Sequence, residues 1–169
     1  MKKTFSFAIL FAMMAVPVLL TSCGDDDLIP EVQESTMTEW VEPYHVPGSS
    51  MDDVKTYMTA SMGSYSLVGE YESAAAYQLT YTSGVSNVGV LYSFSKVTNQ
   101  LYSVVATELC VNKPVILHYL NSNYDALSGY TPDAQNIRYM FTSKDKSVVV
   151  STEKISSECF NVSYTFVTQ

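Results

Sequence analysis

Arginine is almost missing from this chain: Arg138 is the single one in 169 residues. The lysines do not cluster either, so there is no patch to neutralise a row of phosphates, and nucleic acid is excluded as a partner. Histidine is nearly as scarce, with His45 in a loop beside Pro47 and His118 in a stretch that reads as a helix. Each stands alone, without a metal-ligand pattern around it, so neither a metal site nor a cofactor is expected. The few glycines are scattered over turns and form neither a P-loop nor a G-x-G-x-x-G fingerprint, which removes the usual nucleotide cradles. Serines are plentiful, yet none occupies a G-x-S-x-G elbow or is coupled in sequence to a histidine and an acid. Glu70 and Glu72 come nearest to a carboxylate pair, but their spacing places both on one side of a strand rather than across a cleft. No catalytic residue emerges, and the expectation is a protein that is not an enzyme.

What the chain does have starts at its N-terminus. Lys2 and Lys3 precede an apolar run from Phe5 to Leu20, shorter than the roughly 20 residues that span a bilayer, which suits a cleaved export signal better than a permanent span. Leu20-Thr21-Ser22-Cys23 then replaces the small-residue cleavage site of an ordinary secretory signal. This sequence resembles the lipobox of bacterial lipoproteins. The resemblance implies residues 1–22 as signal peptide, cleavage before Cys23, a diacylglycerol on the Cys23 sulfur and an acyl chain such as palmitate on the freed amine. Two or more chains hold a protein stably at a membrane where one alone does not. Asp25, Asp26 and Asp27 directly behind the anchor resemble the surface-export signal of Bacteroidota lipoproteins, which implies the outer membrane with the protein facing outward. Residues 23–39 read as a flexible tether.

Met1–Ser22 holds two of the nine basic residues and none of the seventeen acidic ones, so the mature chain carries seven against seventeen, a net charge of −10. Residues 40–169 are enough for one domain with its own core. Cys110 and Cys159 would meet an oxidising environment after export. A bridge between them would close a loop of about 50 residues and add roughly 4 kcal/mol on the entropic model; two buried thiols are the alternative, since spacing does not fix how closely the Cα atoms approach.

Within the domain, Ser50 followed by Asp53 forms a capping box, and Met51, Val54, Met58 and Met62 fall on one helical face, with Gly63 placed to close the helix in a left-handed conformation. Period-two segments follow at 66–70, 76–81, 89–94 and 101–106, separated by turn residues such as Ser83-Gly84, Ser86-Asn87 and Thr98-Asn99. A second helix is predicted over 112–124, capped by Asn112 with Pro114 in its first turn. A looser stretch around 125–133 leads to strands at 137–142, 147–152 and 160–167. The prediction is α+β: helix, four strands, helix, three strands, giving one antiparallel sheet of about seven strands with two helices on one face. This order resembles the small outer-membrane-lipoprotein module shared with the β-lactamase-inhibitor-like fold, and the Trp40-Val41-Glu42-Pro43-Tyr44 opening with Gly48-Ser49 is similar to that of uncharacterised Bacteroidota lipoprotein domains.

Tyrosine is abundant, with 13 in the chain, several alternating along predicted strands at Tyr77, Tyr81, Tyr92 and Tyr102. Half-buried strands favour tyrosine, and exposed tyrosine faces suit binding. The expected function is a lipid-anchored envelope protein in a binding or assembly-accessory role, contacting another envelope protein through a sheet face or edge. A glycan-capturing accessory protein is the alternative, and it requires Trp40 and several tyrosines on one exposed patch. A hydrolase ranks below both.

Overall fold

Ser50 starts the first helix, α1 (Met51–Ser61), through a reciprocal capping box: its hydroxyl accepts the Asp53 amide hydrogen while the Asp53 carboxylate accepts the Ser50 amide hydrogen. The computed structural model describes residues 35–127 and 138–167, which belong to one unit, Gln33–Gln169. Val54, Met58 and Met62 of the predicted stripe are buried. Gly63 does not close α1 in the left-handed conformation; the cap falls on Met62 at φ −123°, whose amide bonds back to the Met58 carbonyl.

Four strands follow: β1 (Ser66–Glu72), β2 (Ala76–Thr82), β3 (Gly89–Ser95) and β4 (Leu101–Leu109). Asn87 at φ 64°, Asn99 at φ 55° and Gly84 at φ 79° supply the left-handed residues their turns require. A 3-10 turn over Cys110–Asn112 leads into α2 (Lys113–Asn123). Asn112 is the residue at its start but makes no capping bond; its side-chain oxygen instead accepts from Ser35 Oγ at 2.8 Å.

After α2 come β5 (Asp125–Ala126), β6 (Tyr139–Thr142), β7 (Val148–Lys154) and β8 (Cys159–Phe166). The sheet therefore has eight strands rather than about seven. The extra one is the two-residue β5, paired with Thr142 and Phe141 of β6. Two residues carry no period, which is why the pattern hides them. Ile137, the predicted start of β6, lies outside the described residues.

The sheet is antiparallel in the order β1-β2-β3-β4-β8-β7-β6-β5, so each half is a meander and the last strand of each meets the other at the centre. Register partners Leu79, Tyr92, Val104, Tyr164, Val150 and Phe141 run as one row across the sheet, and all six are buried. Val54 and Met58 of α1 and Ile116 and Leu120 of α2 join them in one core. The alternate row, Thr80, Leu91, Val105, Ser163, Ser151 and Met140, is only half-buried and consists largely of small or hydroxyl side chains. The sheet is thus one-sided in the way an antiparallel sheet with one wet face should be.

Candidate functional site

An extended segment, residues 35–50, reaches the sheet before α1 begins, and its side chains decide what lies over the centre. Trp40 is buried, its ring meeting Tyr119 edge-on at 5.4 Å between centroids. The indole Nε1 donates to Glu108 Oε1 at 3.0 Å, as a buried indole must find an acceptor. The other oxygen, Glu108 Oε2, is buried without a hydrogen bond. Burial pushes the Glu108 pKa up, against the Trp40 bond and the neighbouring Asn112 amide, which favour the charged form.

Two residues on, Glu42 gathers phenols from three places. Its Oε1 accepts from Tyr124 at 2.6 Å and from Tyr164 of β8 at 2.9 Å, and its Oε2 accepts from Tyr119 of α2 at 3.0 Å. The Glu42 carbonyl also accepts from Tyr57 of α1 at 2.7 Å. One residue thereby ties both helices and the central strand together. Burial raises the phenol pKa values, and the Glu42 charge raises them further: Tyr119 to about 12, Tyr124 and Tyr164 beyond that.

His45 completes the group. Its ring stacks on Tyr164 at 4.7 Å, Nε2 stands 2.9 Å from the Tyr124 hydroxyl and 3.9 Å from Glu42 Oε2, and Nδ1 stands 2.7 Å from the Pro43 carbonyl. The Pro43 carbonyl can only accept, so Nδ1 donates to it, and the ring is held in the group by that bond, by the Tyr124 contact and by the stack on Tyr164. Sequence reasoning placed His45 alone, because the tyrosines that complete its surroundings lie about eighty residues or more away. His118 is exposed on α2. Among the described residues no three His, Cys, Asp or Glu side chains converge on one point.

The second candidate region is the β1 edge. β1 pairs only with β2, and six of its seven residues are exposed, Gly69 being half-buried. Val68 is 56% and Tyr71 57% exposed. A bulge between Leu67 and Gly69 breaks the ladder, and a Cβ at Gly69 would stand 2.3 Å from the Tyr71 ring, so the ring lies across the glycine and a larger residue there would displace it. Between β1 and α1 opens a cavity of about 370 Å³ lined by Met58, Tyr65, Leu67 and Tyr81 with Lys55. Lys55 Nζ meets Glu70 at 2.7 Å, and Glu72 meets Lys96 at 2.5 Å. Glu70 and Glu72 are thus taken up singly by lysines.

The strand tyrosines divide between packing and exposure. Tyr81 and Tyr92 are buried, with Tyr92 donating to Met58 Sδ at 3.1 Å; Tyr77 is half-buried under Lys96, and Tyr102 is exposed. Trp40 and these strand tyrosines form no common exposed patch. Cys110 and Cys159 sit at the junction of β4 and β8, where Leu109 pairs with Cys159 and the Cys110 amide donates to the Glu158 carbonyl at 2.6 Å. Both thiols are free, Cys110 half-buried and Cys159 buried. Burial pushes the Cys159 thiol up. Cys23, Asp25, Asp26 and Asp27 lie outside the described residues. No helix among the described residues is long and apolar enough to cross a membrane. No protein-family model matches this chain, and neither a curated protein nor a solved structure does.

Proposed function

We propose that this is a non-enzymatic, lipid-anchored protein of the outer membrane that captures an extended segment of another envelope protein on its β1 edge. The observation that carries the reading is β1 itself, a full-length strand with one side unpaired and its apolar residues Leu67, Val68 and Tyr71 exposed. Such an edge is normally blunted, and the bulge between Leu67 and Gly69 blunts this one in part, but its apolar side chains stay exposed. Here it borders a mostly apolar cavity, and that is the arrangement by which added strands are held: backbone bonds along the edge give affinity, while a pocket beside it takes alternate side chains and gives selectivity. The occupant is therefore an extended peptide with an apolar side chain opposite Leu67. Anchoring by Cys23 and surface display through Asp25, Asp26 and Asp27 rest on the sequence motif and would hold this edge at the envelope.

The test is site-specific photocrosslinking in intact cells, with a photoreactive residue at Val68 and, as a control, at Val97, a turn position 93% exposed. A discrete adduct at 68 that disappears with Leu67→Glu, and no such adduct at 97, supports the edge. Equal labelling at both positions, or none at 68, overturns it. Protease treatment of intact and lysed cells addresses the location separately: degradation only after lysis contradicts surface display. Cys23→Ser should release the protein from the membrane fraction.

A further inference from the structure

We infer that the face of the sheet turned away from both helices is the contact surface for a second copy of this chain, so that two sheets pack face to face with their helices outward. The inference is independent of the β1 edge and of the lipid anchor. It starts from what the face is made of. The row through Leu91, Val105 and Ser163 has a neighbour on either side, one through Ser93 and Ser103, the other through Thr107 and Asn161. Across β2, β3, β4, β8 and β7 these three rows of described residues hold a single charged side chain, Glu153 at one corner, and Arg138 pairs with it. The chain as a whole carries seventeen acidic residues against nine basic ones. Two copies therefore repel over most of their surfaces and least over this one.

A two-fold contact must be self-complementary, because each patch meets its own image. A charge near the axis meets its like, whereas a hydroxyl both donates and accepts and an aliphatic group packs on its own kind. The centre of the face, where β4 meets β8, is Val105 beside Ser163, both half-buried, and it satisfies that condition. The polar groups flanking the centre are turned toward one another: Gln78 Nε2 donates to Ser93 Oγ at 3.3 Å and Thr107 Oγ1 donates to Asn161 Oδ1 at 2.9 Å. Those bonds survive when the face is covered, which removes part of the cost of taking polar groups out of water. The side chains are mostly short, so two copies can approach to the roughly 10 Å that separates stacked sheets. From β1 to β6 the face measures about 34 by 17 Å, roughly 570 Å² in projection for each copy. Side-chain relief raises the accessible area toward the roughly 800 Å² per partner of a standard specific interface. Packing of this kind leaves the β1 edge of both copies open.

The experiment uses the full chain, solubilised from cells in excess detergent and followed by sedimentation equilibrium with the bound detergent density-matched. The expected result is a reversible dimer. Ser163→Lys and Ser163→Glu should each weaken it by about tenfold or more, since the two-fold axis sets each new charge against its own copy. An equimolar mixture of the two variants should recover the dimer, because opposite charges then meet, and that recovery also shows that both variants fold. In wild-type cells a photoreactive residue at Val105 should yield a covalent dimer, and one at Asn121, exposed on α2, should not. Wild-type chains that stay monomeric overturn the proposal, as does a dimer that survives both substitutions at Ser163. A dimer lost with Val68→Lys instead places the second copy on the β1 edge and overturns it as well.

Discussion

The seam under residues 35–50 and the edge at β1 are built from similar residues and end in opposite conditions. At the seam Trp40, Tyr119, Tyr124 and Tyr164 are satisfied by one another and by Glu42 and Glu108. At the edge Leu67, Val68 and Tyr71 have apolar surface open to solvent and one flank of the strand has no partner. The seam is where the two halves of the sheet meet, β4 against β8, and a gap between two helices there would expose core, so the segment fills it. The edge has nothing to seal. Aromatic content alone therefore says little about binding; what separates the regions is whether the aromatic and apolar side chains already have their partners.

The comparison can be broken most severely at Trp40. Trp40→Ala should destabilise by about 3–5 kcal/mol, since it opens a cavity and strips Glu108 of its donor; a denaturant midpoint that barely moves would mean the seam is not sealed. Tyr164→Phe should destabilise by about 1–3 kcal/mol by removing one donor from a carboxylate that is mostly buried, again read from denaturant unfolding. Glu108 sharpens the contrast through pH. Its folded pKa is raised by burial above the ordinary 4.5, so the folded state binds the proton more tightly than the unfolded one. The associated stability is fully present below pH 4.5 and is lost as pH rises through the folded value. Melting curves of Glu108→Gln, compared with wild type, should lack that decline and match or exceed wild type at neutral pH. The smallest effect belongs to the edge: Val68→Lys should shift stability by no more than about 0.5 kcal/mol while abolishing the crosslink from a photoreactive residue placed at Tyr71 of the same strand, and a large loss of stability would show that β1 is core rather than interface.

The contrast also shows what the sequence could and could not disclose. The Ser50 and Asp53 cap, the Val54, Met58 and Met62 stripe and the seven longer strands are local patterns, readable because helix and strand periods recur within a few residues. The order of the sheet follows from short turns such as Gly84 and Asn99. The two-residue β5 carries no period, and the Asn112 side chain is diverted to Ser35, so both escaped. Glu42 was visible only as part of Trp40-Val41-Glu42-Pro43-Tyr44, with no role attached. Its partners Tyr119, Tyr124 and Tyr164 come from different elements 77 to 122 residues away, and no local pattern encodes that convergence. The exposure of β1 was equally hidden, because an alternating strand reads the same at the edge of a sheet as inside it.

Native-state hydrogen exchange on the full chain, resolved by strand, tests the division most directly. The amides of β4 and β8 beneath the seam should exchange only through global unfolding, and those of β1 through local opening at far lower free energy. Protection of β1 equal to that of β4 and β8 would contradict the account.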